Sequence, residues 1–548
     1  MIYSRIVIIW LILLFSCTLN SKDKANQSSN YNELEKLFLD WRNFENPPLL
    51  NGAPNYTRSQ FDKSFRTFKS LKKRLKNIDT TKWLVHQKVD WQIVLAEMNG
   101  YDFNYRVLKP WERDPAFYQT VWMYESDVPA HEGPTNHAVL EFWSYNFPLT
   151  AGEEKRLEKE LSIIPSFLLQ ARRNLIGNAR DLWVAGIENI KEQEKDLDFI
   201  KNKIGHNNST LFQKLDAAKI STSEFRFWLE KEAPSKSGPS GIGKENYTWY
   251  QQNVHLLPFT WEEEVDLLQR ELDRAWASLK LEEHRNKDLP KLKAANNSEE
   301  FSKLTEKSIV KMMTFLKEKD IMPIKSNMEP ALRKHMGNFV PEKDRNFFYI
   351  GMHYDPLPLY SHFYHWFDLA QVRDEPHKSI IRRGPLLYNI FDSKNEGIAT
   401  GVEEMFMHAG LYDDNPRSRE IVWIMLAQRA ARGLGSLYAH ANEMTMAEAG
   451  QVHVKWTPRG WMEREPHLLQ FEQHLYLRQP GYGTCYVTGK YLIERLIAEY
   501  AEIKEKEGQP FVMKDFMEEF NNTGNIPVEL LRWDMTKNRP EFLNWYHE

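Results

Sequence analysis

Cysteine is nearly absent: Cys17 and Cys485 are the only two in 548 residues. A disulfide framework and a thiolate-rich zinc site are therefore excluded. No sign of charge dominates either, because 72 Lys and Arg face 76 Asp and Glu for a net charge of −4, with the basic residues spread evenly. That balance argues against nucleic-acid binding. Strand-like alternation is scarce and no internal repeat is evident. Gly481, Tyr482 and Gly483, with Gly489 beyond, resemble a glycine-rich loop, but no strand precedes them and no Lys-Ser or Lys-Thr follows. A nucleotide cofactor is accordingly not expected.

Aromatic residues, by contrast, are abundant, with 18 tryptophans. They serve either a large core or an aromatic-lined cleft for peptide or sugar. Helical periodicity dominates. Leu157, Leu161, Ile164, Phe167, Leu168 and Leu175 recur at three- and four-residue spacings within 151–200, the pattern of one amphipathic helix or a broken pair. Thr260 and Glu263 fit a capping box that opens a helix through about Leu281. Further helices are expected over 299–319, 396–408, 417–440, 446–453, 469–478 and 484–505, and a strand over Asn346 to His353. The fold class that follows is mainly α: a large helical body with a central cleft and few short strands. The stretch from Ala233 to Gly243, rich in Pro, Ser and Gly, divides an N-terminal helical region, 32–232, from a C-terminal one, 244–548.

The chain opens with Arg5 and the apolar run Ile6 to Phe15, a signal-peptide core too short for a membrane span. Leu14, Phe15, Ser16 and Cys17 resemble a bacterial lipobox, with Phe15 bulkier than the usual residue there. The resemblance implies cleavage before Cys17, lipidation of its thiol and anchorage in the cell envelope; simple secretion is the alternative. Residues 18–31 read as a flexible tether.

Chemistry concentrates further on. His353, His362, His365, His377 and His408 fall within 56 of the 548 positions, close to Glu396, Glu403 and Glu404. Imidazole and carboxylate together bind a divalent metal or move protons. The alternative is a set of surface and core histidines with no joint role.

Four blocks carry a family resemblance that covers most of the mature chain. They are Glu396 to Glu403; Arg429, Ala430 and Arg432 through His440 with Thr445 to Ala449; Arg478 through Tyr486 with Gly489; and Asp515 and Phe516 followed by Gly524, Ile526, Pro527 and Leu530. In order and spacing they resemble the bacterial family called domain of unknown function 885, whose helical, often lipidated members are related in outline to zinc metallopeptidases. Weaker echoes lie in Trp111 to Tyr118 and Gly241 to Tyr250. Most members carry His-Glu-x-x-Pro-Gly-His about thirty residues before the glutamate that matches Glu396, and the resemblance implies a zinc held by two histidines and that glutamate, with another glutamate as base. Here Tyr360 to Asp368 stands in its place; His365 precedes Glu396 by 31 positions, and the base glutamate and one histidine have no counterpart.

Three functions follow as expectations. The first is a metal-dependent, peptidase-like hydrolase with one Zn2+ or similar ion on His365 and Glu396, completed by His362 or His353. Glu403 or Glu404 would be its supporting or basic carboxylate, and His440 would stabilise developing negative charge. Arg478, Tyr482 and Tyr486 would orient substrate, with Trp461 a stacking platform or a plain packing residue. The second is a metal-free lyase acting on acidic oligosaccharides through His365, His440, Tyr486 and Arg478. The third is a lipid-anchored binding protein that has lost catalysis.

Overall fold

Our computed structural model describes residues 30–124, 140–204, 209–463 and 466–544. Over these the protein is mainly α-helical. Strands appear there only as two-residue pairs: Leu49–Leu50 runs antiparallel to Ala53–Pro54, and Val121–Trp122 parallel to Leu140–Glu141. The leader, Cys17 and most of the tether lie outside the described residues.

Most expected helices form where the pattern places them, often a turn longer. The periodic run over 151–200 is a broken pair, Ala151–Asn174 and Arg180–Ile204. At the break the chain turns through Gly177, where a β-carbon would meet the Glu112 carbonyl at 2.7 Å. The Thr260 capping box forms as read: its hydroxyl accepts from Glu263 N at 3.2 Å, and Glu263 accepts from Thr260 N at 2.8 Å, starting the Trp261–Arg285 helix. The expected strand at Asn346 to His353 is instead the Phe347–Tyr354 helix. Asn346 caps it by accepting from Tyr349 N at 3.0 Å, and its buried residues Phe347, Gly351 and Met352 follow a helical spacing rather than alternation.

Among the described residues two large hydrophobic cores form, beside a minor cluster of Ala179, Leu182, Ala439, Ala449 and Leu477. The smaller is built mainly from the Ala151–Asn174, Arg180–Ile204 and Ser209–Glu232 helices. The larger joins Leu34, Leu37 and Trp41 of a helix over residues 30–45, and the Val85–Phe103 helix, to apolar residues from Ile242 to Leu543. The chain therefore enters the larger core, leaves it to build the smaller, and returns through 233–243. At that return Gly238 N donates to Asn178 O at 2.8 Å, and Arg113 reaches Ser240 O at 3.0 Å.

One helix positions the chemistry. Every residue of Asp392–His408 from Asp392 to Glu404 is buried, an unusual state for a helix carrying this many polar groups, and each buried charge must therefore meet a partner. Two glycines allow its burial. A β-carbon on Gly489 would meet the Ser393 carbonyl at 2.0 Å, and one on Gly397 would meet the Gly489 carbonyl carbon at 2.6 Å. Asp392–His408 and Tyr482–Lys506 thus cross backbone against backbone, which sets Glu396 beside Tyr482.

Candidate metal centre

Three successive helices assemble the site. Leu357–His362 ends at His362, Tyr364–Asp374 begins after Phe363 and carries His365, and Asp392–His408 supplies Glu396 and Glu403. The two histidines therefore sit on successive helices at a bend, not on one face of a single helix; their ring centroids are 5.2 Å apart. His362, His365 and Glu396 each offer a ligand atom within 4.8 Å of the others, and all three are buried. His362 is the most exposed of the three, with a tenth of its side chain open to solvent.

The ring of His362 lies between two carboxyls. Its Nε2 lies 3.7 Å from one oxygen of Glu396, and its Nδ1 lies 3.0 Å from Glu403. Burial, with Arg429, His365 and Arg432 nearby, pulls His362 well below the usual imidazole range, so the ring is neutral and offers a lone pair. Glu403 is pushed up to about 7 by burial, against the pull of Arg429, whose guanidinium donates to it at 2.7 Å. The other oxygen of Glu396 accepts from Tyr482 at 3.1 Å, and Tyr486, one turn on, donates to the Tyr482 hydroxyl at 3.1 Å. Burial and the charge of Glu396 push the Tyr486 phenol well up, so it keeps its proton and acts as a donor. Arg432 caps this pair, its guanidinium 4.0 Å from the Tyr486 ring centroid and bonded to Glu472 at 2.8 Å.

The site thus gathers five of the expected residues: His362, His365, Glu396, Glu403 and Tyr486, with Tyr482 as a sixth that holds Glu396. Others lie elsewhere. His353 lies outside this cluster: its Nδ1 faces the Tyr349 carbonyl at 2.7 Å, its Nε2 accepts from Val340 N at 3.2 Å, and the ring stacks on Phe301. Both nitrogens are occupied by the local fold. Glu404 faces the other way and forms a bidentate pair with Arg274 at 2.6 and 3.0 Å, with Lys490 at 3.1 Å. Burial pushes its carboxyl up, but Arg274 and Lys490 outweigh that and hold it below the usual range. His440 bonds through Nε2 to the Tyr476 carbonyl at 2.8 Å, one side chain removed from the site. Arg478 makes a buried ion pair with Asp114 at 2.7 Å, tying the 466–478 helix to the N-terminal region rather than facing a substrate. Trp461 stacks on Tyr354 and lines a separate cavity with Arg417 and Arg459.

Sequence reasoning assigned no role to Arg429, Arg432, Asp368 or Lys394. The two arginines occur three apart in the Ser418–His440 helix, which is buried along nearly its whole length; charge inside an apolar helical run was the available signal. Lys394 and Asp368 form a buried pair at 2.8 Å. They flank the site along the chain, Asp368 one turn after His365 and Lys394 two residues before Glu396. Both line a polar cavity together with His377, Arg382, Asn521 and Asn525.

No family model matches this chain, and no curated protein matches it. Among solved structures it is similar to one described as a putative lipoprotein of unknown function from Shewanella oneidensis, with TM-score 0.66 and 15% identity over 92% of this chain and 98% of that one. It is also similar to one described as the putative lipoprotein from Colwellia psychrerythraea, with TM-score 0.64 and 13% identity over 94% and 99%. The likeness extends across nearly the whole of all three chains and establishes a shared fold.

Proposed function

We propose that this chain is an envelope lipoprotein with metal-dependent hydrolase chemistry, a divergent relative of the 885 family, in which His362, His365 and Glu396 hold one divalent ion. The observation that carries this reading is the convergence of His362, His365 and Glu396, with the His362 ring placed between two carboxyls, Nε2 3.7 Å from Glu396 and Nδ1 3.0 Å from Glu403. Metal-ligating histidines characteristically lean their second nitrogen on such a carboxylate. Two imidazoles and one carboxylate suit zinc, leaving a coordination position open. An ion held there would supply a fixed positive charge to polarise a carbonyl.

The surrounding residues have their own tasks. Tyr482 fixes the orientation of Glu396, and Tyr486 steadies Tyr482. Arg432, over the Tyr486 ring, and Arg429, bonded to Glu403, favour negative charge developing nearby. Glu403 sits where it can hold or release a proton near neutrality. A polar cavity lined by Asp368 and Lys394, which lie three residues from His365 and two from Glu396 along the chain, suits a peptide or another polar substrate.

Lipid anchorage rests on Ser16 and Cys17 after the apolar leader, and on the lipoprotein descriptions of the two structural neighbours. No helix among the described residues is long and apolar enough to cross a membrane. Incorporation of labelled palmitate, lost in Cys17→Ser, tests it.

Elemental mass spectrometry of the detergent-purified chain tests the metal site. About one zinc per chain is expected, lost in His365→Ala and Glu396→Gln with helicity retained. A metal-free parent protein after zinc loading and desalting would sink the hydrolase reading. It would favour the lyase alternative, which the Tyr486 to Tyr482 to Glu396 hydrogen-bond chain also fits, and acidic oligosaccharides would then be the substrates to test.

A further inference from the structure

Two cavities meet along the Tyr364–Asp374 helix. One is the polar cavity that Asp368 and Lys394 line; the other has Met322, Pro323, Met328, Tyr364 and Phe367 in its wall. Asp368, Gln371, Asn521 and Asn522 line both, so the two are compartments of one groove, polar at one end and apolar at the other.

The groove carries little uncompensated charge. Lys394 pairs with Asp368, Lys325 with Glu375, and Arg382 with Asp90 and Asp534. Burial, with Arg382 nearby, holds His377 below the usual imidazole range, so that ring is neutral as well. Lys378 and Glu518 are left as lining charges without an ion pair among the described residues; both are exposed and they are opposite in sign. Such a lining does not select a ligand by charge.

Its uncommitted groups are carboxamides. The side chains of Gln371, Asn522 and Asn525 form no hydrogen bond among the described residues, and the Asn525 side-chain oxygen is buried in that state, which is costly unless a ligand or water meets it. Asn521 accepts from the Tyr364 hydroxyl at 2.6 Å and keeps its own N–H groups to donate. A carboxamide presents donor and acceptor side by side, the complement of the N–H and C=O of a peptide main chain. Sugar hydroxyls could use the same groups, but a sugar also stacks on an open ring face, and Tyr364 and Phe367 are only 1% and 5% exposed. Met322 and Met328 beside them are flexible thioethers that adapt to apolar side chains of varied shape.

We propose that this groove binds an extended peptide, its main chain held by Gln371, Asn521, Asn522 and Asn525 and one aliphatic side chain seated against Met322 and Met328. The fate of the peptide rests on the hydrolase reading, since Asp368 follows His365 by three positions on one helix and shares its face. The binding itself needs no metal.

Calorimetric titration of the detergent-solubilised full chain tests this with two capped, uncharged peptides, acetyl-Gly-Ser-Leu-Ser-Gly-amide and its counterpart with serine in place of leucine. The leucine peptide is expected to bind saturably and at least about tenfold more tightly than the serine peptide, as burial of a leucine side chain warrants. Its affinity should be the same in the parent and in metal-free His365→Ala. The double variant Gln371→Ala with Asn522→Ala, which breaks no hydrogen bond inside the protein, should weaken it at least about tenfold. The comparison of the two peptides on the parent holds whether or not a variant folds. Equal binding of the two peptides, absence of binding, or saturable binding of maltotriose in place of the peptide would each overturn the proposal. So would peptide binding that a folded His365→Ala loses, because recognition would then lie at the metal centre. A parent chain that takes up no zinc yet binds the leucine peptide would sink the hydrolase reading and leave the groove standing.

Discussion

The Nδ1 of His362 lies 3.0 Å from Glu403 while Nε2 of the same ring lies 3.7 Å from Glu396. One imidazole therefore lies between two carboxyls that stand seven residues apart on the same helix. If His362 is a ligand, Glu403 sets its tautomer and its aim, so Glu403→Gln should lower zinc affinity by about 10–100-fold without unfolding the chain. Competition with a chromogenic chelator measures this. An affinity equal to that of the parent would show that Glu403 is not supporting a ligand.

The crossing of the Asp392–His408 and Tyr482–Lys506 helices has a sharper dependence on single atoms. A β-carbon on Gly489 would sit 2.0 Å from the Ser393 carbonyl, a backbone atom that cannot swing aside. Gly489→Ala should therefore destabilise by about 3 kcal/mol or more and loosen metal retention, because Glu396 is placed by this crossing. Gly384→Ala is the control, since nothing lies within 4 Å of that position. Urea denaturation of the two variants compares them, and a Gly489→Ala midpoint matching the control would refute the close-crossing account.

Much of this arrangement was legible before any coordinates. Amphipathic spacing located most of the helices, and the capping pair Thr260 and Glu263 placed the start of one of them within a residue. Histidine is enriched in the sequence near Glu396, and His362, His365 and Glu396 do converge. What sequence spacing could not show was direction. Glu403 and Glu404 are adjacent, and successive helical residues point about 100° apart, so one meets His362 while the other pairs with Arg274 and Lys490. Arg478 looked like a free substrate-binding fork because its partner Asp114 lies 364 positions away. The return of residues 34–103 to the larger core is equally a long-range event, with no local signature.

The Asp114 and Arg478 pair is buried on both sides, with side chains about 3% and 4% exposed. Removing one partner strands the other charge in a dry environment, at a cost of about 3–5 kcal/mol. Arg478→Met and Asp114→Asn should each lose stability on that scale. The double variant should lose less than the sum of the two by about 0.5–3 kcal/mol, the size of coupling between contacting residues. Additive losses in guanidinium denaturation would mean that the two side chains do not act as a pair and would reopen a substrate role for Arg478.

Glu264 yields a prediction about pH. It is fully buried, its carboxyl accepts from the Tyr247 hydroxyl at 2.9 Å, and burial pushes it up to about 7 despite the hydrogen bonds of Thr484 and Tyr247. In the unfolded chain a glutamate ionises near pH 4.3. Below that pH both states hold the proton and Glu264 does not penalise folding. As pH rises from about 4 to about 7, the unfolded state loses its proton while the folded state retains it, so this residue's contribution falls steadily and is fully lost above the folded value. At 1.36 kcal/mol per unit, the loss across the window is about 4 kcal/mol. Glu264→Gln preserves the shape and the acceptor for Tyr247 but cannot ionise. Its stability relative to the parent should therefore improve by about 4 kcal/mol between pH 4 and pH 8, read as the difference of two urea unfolding series. A difference that stays flat across that range would place the ionisation of Glu264 outside the window and remove burial as the force acting on it.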